Sequence, residues 1–162
     1  MAIFRLIQQD KKRFLDLLLL ADEQEDMIDR YLESGELWTL DDNGVKAICV
    51  VADVGDGILE IKNLAVVPNF QRKGYGKAMI EFIAEKYKNY SRLRVGTGAS
   101  PLTLPFYRSC GFRESGIIPN FFIDNYDHPI VEGNVVLKDM ILLERPLLNH
   151  QRIGWKENCK GF

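Results

Sequence analysis

The chain has 162 residues, 46% hydrophobic and 27% charged, with a formal net charge of −2. That is the balance of a single globular domain with a core of its own, and it excludes a disordered chain. The small net charge leaves no electrostatic footprint for nucleic acid, and no run of about 18 apolar residues is available to cross a membrane.

In chain order, Ile3 to Ile7 is the first candidate strand. From Lys11 to Tyr31 the pattern is helical, with one stripe of Phe14, Leu17, Leu18 and Ala21 and a second of Met27, Ile28, Tyr31 and Leu32. Leu17 to Leu20 is apolar on more than one side, which suits a helix touching a substrate channel or another subunit as well as the core. Leu37 to Leu40 and Val45 to Val54 flank Asp41-Asp42-Asn43-Gly44, and Asn-Gly between strand-like runs is a hairpin signal because the tight turn needs positive φ. A second turn, Gly55-Asp56-Gly57, leads into Ile58 to Val67. Pro68 and Asn69 end that strand, and a helix follows from about Gly74 to Tyr87, burying Tyr75, Met79, Phe82, Ile83 and Tyr87. Leu93 to Thr97 is the next strand, so strand, helix and strand form a parallel crossover. Pro101 to Ser109 holds a short helix ended by Gly111, and Phe112 to Ile118 and Val135 to Arg145 are the last strands. No repeat or linker divides the chain, so residues 1–162 are expected to form one domain, with 146–162 as a tail or terminal arm.

The informative segment is Asn63-Leu64-Ala65-Val66-Val67-Pro68-Asn69-Phe70-Gln71-Arg72-Lys73-Gly74-Tyr75-Gly76-Lys77-Ala78. A strand runs into a loop with two glycines that opens directly into an amphipathic helix. The first turn of a helix carries unpaired N–H groups and the positive end of the dipole. Gly74 and Gly76 remove side chains, so backbone N–H groups can close on a phosphate or pyrophosphate, and Arg72, Lys73 and Lys77 add charge. A Walker A loop fails, because Gly76-Lys77 is followed by Ala78 and lacks the upstream glycine. A dinucleotide fingerprint fails at Met79, where a third glycine is needed.

What remains is [QR]-x-x-G-x-[GA], and here the sequence resembles the GNAT superfamily of N-acetyltransferases. Glu60-Ile61-Lys62-Asn63-Leu64-Ala65-Val66-Val67-Pro68 is similar to the family's fourth strand and its exit. Phe106-Tyr107-Arg108-Ser109-Cys110-Gly111-Phe112 is similar to its aromatic-Tyr and Gly-Phe signature. The resemblance covers about Ile3 to Arg145 and is specific between Glu60 and Phe112. It implies an α/β domain of α+β type, with a mixed, mostly antiparallel sheet of six to seven strands and about four helices. It also implies acetyl-CoA as donor, with the pyrophosphate on Gln71, Arg72, Lys73, Gly74, Tyr75, Gly76 and Lys77. The pantetheine arm would lie like an added strand against the backbone of Leu64, Ala65 and Val66, which otherwise read as plain core strand.

By the same resemblance Tyr107 is the general acid that protonates the departing thiolate. A phenol of pKa about 10 can donate to a thiolate whose acid has pKa about 8.5, and the competing reading is a buried tyrosine satisfied by backbone. Glu60 sits where some members carry a general base acting through water, and a solvated strand glutamate is the equal alternative. Tyr126, Asp124 and Asp127 are weaker candidates for that task. The family's Asn after the fifth strand is missing from Gly96-Thr97-Gly98-Ala99-Ser100-Pro101, so Ser100 is the candidate substitute. The acidic groups Glu23-Glu25-Asp26 and Asp124 to Asp127 fall where the family frames its acceptor site and would attract a cationic amine.

Other chemistry is absent from the pattern. Cys49, Cys110 and Cys159 are odd in number without CxxC spacing, His128 and His150 lie far apart, and no metal site is expected. Cys110 reads as a small buried residue. The Met1 end has no leader pattern, because Asp16 and Asp22 bracket the apolar run. The expected protein is a cytoplasmic acetyltransferase acting on a small-molecule or peptide amine by direct attack in a ternary complex, with a homodimer as a possible assembly. The rivals are a non-catalytic acyl-CoA sensor on the same fold and a structural protein whose glycine loop binds nothing.

Overall fold

The computed structural model describes residues 1–147. Seven strands make one sheet: β1 (Ile3–Ile7), β2 (Glu36–Asp41), β3 (Val45–Asp53), β4 (Ile58–Val66), β5 (Arg92–Gly98), β6 (Arg113–Ile118) and, after the two-residue hairpin strands β7 (Val131–Glu132) and β8 (Val135–Val136), β9 (Met140–Pro146). Their order is β1-β2-β3-β4-β5-β9-β6, and only β4 and β5 pair in parallel. Among the described residues there are five α-helices, α1 (Leu15–Ala21), α2 (Glu25–Asp29), α3 (Tyr75–Lys86), α4 (Leu104–Ser109) and α5 (Phe121–Asn125). The mixed, mostly antiparallel architecture expected from the sequence is the one found.

The first two turns form as the sequence chemistry requires, with Asn43 and Gly44 at φ 55° and 104° closing the β2–β3 hairpin. The β4–α3–β5 crossover supplies the single parallel pair, and α3 packs Met79, Ile80 and Ile83 onto Cys49, Leu59, Ile61, Leu93 and Val95. On the opposite face Leu18 of α1 and Ile28 of α2 cover Leu37, Ile48, Val50 and Ala65.

One irregularity decides which side chains meet. Val50 pairs with Asn63 while Val51 pairs with Ile61, so Lys62 is an extra residue in β4. A one-residue bulge exchanges the two faces of every residue beyond it. Before the bulge Leu59 and Ile61 point into the α3 side; after it Leu64 and Val66 do, and Ala65 turns to the α1 side.

Two expectations are corrected. The helical pattern from Lys11 to Tyr31 is not one helix: a 3-10 turn (Lys11–Phe14) leads into α1, and Asp22 is extended at φ −144° and ψ 97° before α2 starts. The local pattern has no access to the reason, which is tertiary. Two tyrosine hydroxyls donate to the Asp22 carboxylate, and buried Lys11 donates to the carbonyls of Leu32, Glu33 and Gly35 at 3.0, 3.1 and 2.7 Å. Likewise Val135 to Arg145 is not one strand: Val135 and Val136 pair back onto β7 across the Gly133-Asn134 turn, and Leu137, Lys138 and Asp139 separate that hairpin from β9. The expected tail lies outside the described residues beyond Leu147, which is itself fully buried and donates its N–H to the Ser91 carbonyl at 3.1 Å.

Candidate active site

The parallel pairing of β4 and β5 runs only from Ile58↔Arg92 to Ile61↔Val95. Beyond that point β4 stays bonded to β3 and β5 to β9, so their facing edges separate. Between them lies a cleft of about 210 Å³, lined by Leu64, Ala65 and Val66 of β4, Gly96 and Thr97 of β5, Gln71, Thr103, Tyr107 and Glu132. Leu20 and Ala21 of α1 close one side, which accounts for the apolar surplus of the first helix: Leu20 is 53% exposed and faces the cleft. On the open edge of β4, alternate residues turn N–H and C=O toward the gap with no strand opposite.

At the upper end of the cleft, Gln71 Nε2 donates to the Val66 carbonyl at 3.3 Å and fixes the loop to the strand. Arg72 and Gly74 both take positive φ, 62° and 91°, so the loop curls before α3 begins. Ala78 N is the first amide bonded back into α3, to the Gly74 carbonyl at 2.9 Å. The N–H groups of Tyr75, Gly76 and Lys77 are therefore the free first-turn donors. The Tyr75 hydroxyl donates to Asp42 at 2.7 Å, which turns that side chain toward the β2–β3 turn. At Gly76 an added Cβ would come within 3.1 Å of the Phe106 ring.

Tyr107 is 8% exposed, wedged edge-on between Phe106 and Phe112 at centroid distances of 5.1 and 5.6 Å. No residue among those described hydrogen-bonds its hydroxyl, which leaves that group to the cleft. Burial holds its phenol well above the ordinary value, and nearby Cys49, Cys110 and Glu132 add to the shift. Two buried oxygens in the cleft lining also lack a donor, Asn63 Oδ1 and Glu132 Oε2.

A second cavity of about 500 Å³ adjoins the cleft through Ile61, Lys62 and Gly96. Glu60 lies in it, accepting from Arg94 Nε at 2.7 Å and from the Lys62 ammonium on its other oxygen. Also on its wall is Asp22, which accepts from Tyr31 at 2.9 Å and from Tyr126 at 2.6 Å. Burial lifts its carboxyl above the usual range, against the pull of the two hydroxyls. Asn63 completes the group, its Nδ2 donating to the Leu18 carbonyl at 3.0 Å and to the Tyr31 oxygen at 3.1 Å.

The sequence-expected residues thus divide. Leu64, Ala65, Val66, Gln71 and Tyr107 share the cleft, while Arg72, Lys73, Gly74, Tyr75, Gly76 and Lys77 form the loop and helix start above it. Glu60 belongs to the neighbouring cavity. Ser100 is fully buried, its Oγ accepting from Leu102 N at 3.0 Å; the hydroxyls lining the cleft are Thr97 and Thr103, 2.7 Å apart. Tyr126 reaches the site through Asp22, whereas Asp127 pairs with His128 and accepts nothing from the cavity. Asp22, Asn63 and Glu132 were not singled out by sequence reasoning. The bulge and the break between α1 and α2 bring Asn63 and Asp22 together, and the β7–β8 hairpin places Glu132 on the cleft wall; none of these has a local signature.

The model of the acetyltransferase (GNAT) domain matches residues 33–114. The chain belongs to the GNAT acetyltransferase family. It is 35% identical over 140 residues to the uncharacterized N-acetyltransferase YvbK of Bacillus subtilis, covering 84% of this chain and 90% of that protein. A GNAT family acetyltransferase from Elizabethkingia anophelis with acetyl-CoA bound matches with a TM-score of 0.85 at 38% identity, over 90% of this chain and 98% of that one. A Bacillus subtilis acetyltransferase in complex with CoA matches at 0.84 and 34% identity, over 91% and 100%. This GNAT protein is an acyltransferase that takes acetyl-CoA as donor and an amine as acceptor. Among its described residues no helix is long and apolar enough to cross a membrane, and no cluster of candidate metal ligands occurs.

Proposed function

We propose that the protein acetylates a primary amine by direct attack in a ternary complex, with the donor in the β4–β5 cleft and the acceptor in the adjoining cavity. The observation carrying this reading is the end of β4–β5 pairing at Ile61↔Val95, which leaves an open strand edge between the free amides at the start of α3 and a tyrosine hydroxyl with no partner among the described residues. The pyrophosphate would take the Tyr75, Gly76 and Lys77 amides, with Arg72, Lys73 and the Lys77 side chain supplying charge. The arm would take the backbone of Leu64, Ala65 and Val66, and the bare Glu132 Oε2 suits an amide N–H of the ligand. Ser100 would contribute by shaping the loop before α4.

In the reaction the amine first loses a proton to a base, its nitrogen bonds to the acetyl carbon, and the C–S bond breaks. The sulfur takes a proton from Tyr107, which recovers one from the product nitrogen through water, so one proton is released per turnover. The raised phenol stays protonated at neutral pH, and burial that raises the tyrosine also raises a thiol beside it. Burial holds the Cys49 and Cys110 thiols up as well, which opposes a covalent acetyl-enzyme.

Two carboxylates face the acceptor. Glu60 would act through water, as the resemblance to the family implies. Asp22 is the second reading, favoured by its place on the wall of the acceptor cavity, next in the chain to Ala21 of the cleft, and by its raised carboxyl. The acidic limb of the kcat/KM profile discriminates them: it persists in Glu60→Gln and vanishes in Asp22→Asn if Asp22 is the base, and the reverse holds for Glu60. Calorimetric titration with acetyl-CoA, free CoA, ATP and NADH tests the donor site. Micromolar binding confined to the CoA species is expected, and no binding of acetyl-CoA removes this reading.

A further inference from the structure

We infer that the acceptor is a primary amine that also bears a carboxylate and an apolar side chain, of the amino-acid class, held by Asp22 and Asn63 at its nitrogen and by Arg94 and Lys62 at its carboxylate. This rests on the reading that the 500 Å³ cavity takes the acceptor.

The nitrogen end is marked by a missing donor. The Leu18 carbonyl can only accept, so the Asn63 amide must turn its NH2 toward it, and the orientation of Oδ1 is thereby fixed. That oxygen has no donor in a residue only 3% exposed. A buried acceptor left bare is costly, and an ammonium brings three N–H groups. Asp22, linked to Asn63 through Tyr31, receives one hydroxyl on each oxygen and keeps further lone pairs. Asn63 lines the donor cleft and Asp22 the acceptor cavity, so a nitrogen captured here stands where the two spaces meet.

The other end is marked by surplus positive charge. Lys62 and Arg94 share the single carboxylate of Glu60, Lys62 from two residues along the same face of β4. Arg94 spends only Nε in that contact, and its terminal nitrogens have no hydrogen bond among the described residues. A guanidinium fork matches a carboxylate in two parallel bonds. Arg30 adds a third cation to the lining, while the remaining acid, Asp53, is turned away to Gly55 N at 2.8 Å and the Tyr90 hydroxyl at 3.1 Å. At this end three cations face two acids, so a second ammonium reaching it meets no free carboxylate, which disfavours polyamines. The rest of the wall is Met27, Ile118, Phe121, Met140 and Leu142, which suits an apolar side chain.

The test uses L-phenylalanine, L-methionine and L-leucine, each beside its carboxamide and its decarboxylated amine, with spermidine as the polycation. Thiol release gives kcat/KM, and calorimetry on the CoA-loaded protein gives binding. The free acids are expected to exceed both analogues by at least tenfold, mainly in KM. Arg94→Gln is expected to bring each set within about threefold, and Lys62→Gln, on the bulge, provides the same readout should Arg94→Gln not fold. Equal or better turnover of the decarboxylated amines or spermidine overturns the inference, as does a failure of every free acid to bind or react. Titration with acetyl-CoA on the same samples separates that failure from loss of the donor site.

Discussion

Replacing Tyr107 by Phe removes one oxygen and leaves the ring in place. The hydroxyl has no hydrogen-bond partner among the described residues, and the edge contacts to Phe106 and Phe112 at 5.1 and 5.6 Å do not involve it. Stability should therefore change by no more than about 0.5 kcal/mol, because no buried partner is left bare. Donor affinity should also hold, since the proposed donor contacts are backbone groups of β4 and the α3 amides. Turnover is different. A positioned acid contributes roughly 10²–10⁴ in rate, and a thiolate is a tolerable leaving group with a conjugate-acid pKa of about 8.5, so the low end applies. The expectation is a loss of about 100-fold in kcat, or about 2.7 kcal/mol of barrier. Thermal melting, calorimetry with acetyl-CoA and thiol release on one preparation read the three quantities together. A variant turning over within threefold of the parent refutes the acid role. A tenfold loss of acetyl-CoA affinity would instead make Tyr107 a binding residue.

Three further outcomes follow from named contacts. The Asp22 carboxyl is raised in the fold, so between the unfolded value and the raised one the unfolded chain releases its proton first and stability falls as pH rises; Asp22→Asn should abolish that part of the decline, read as the difference between the two melting curves from pH 3.5 to 6.5. Lys11→Met strips three carbonyls of their charged donor and should cost about 3–5 kcal/mol in urea unfolding. Gly74→Ala meets no atom within 4 Å but forces a side chain onto φ 91°, so it should cost about 1–2 kcal/mol and weaken acetyl-CoA by straining the loop, whereas unchanged binding would mean the curl is not needed for the donor.

Much of the fold is legible because its signals are local. Asn43-Gly44, Gly55-Asp56-Gly57 and Pro68 mark the ends of strands, and the stripe through Met79 and Ile83 marks α3. The same holds for the donor half of the site, since a glycine loop feeding a helix is contiguous in sequence and most of its chemistry belongs to the backbone. The acceptor half is not legible. Asp22, Asn63 and Tyr126 lie on three separate segments, and the Lys62 bulge and the break after Ala21 let them meet. Both features are settled by long-range contacts, including the Asn63 bond to Leu18, 45 residues away. The stretch from Val135 failed for a related reason, since a two-residue hairpin is too short to carry a period.

The unpaired edges of β4 and β5 make the donor part of the protein's own thermodynamics. A ligand that bonds there binds the folded chain and has no counterpart in the unfolded one, so it shifts the folding equilibrium by mass action. At a hundredfold excess over its dissociation constant that amounts to about 2.7 kcal/mol, a substantial fraction of the stability of a domain this size. Amides facing the gap should exchange with solvent readily in the free protein and slowly once the donor is in place. The seven-stranded sheet carries a seam, and an acyl donor seated as proposed would close it.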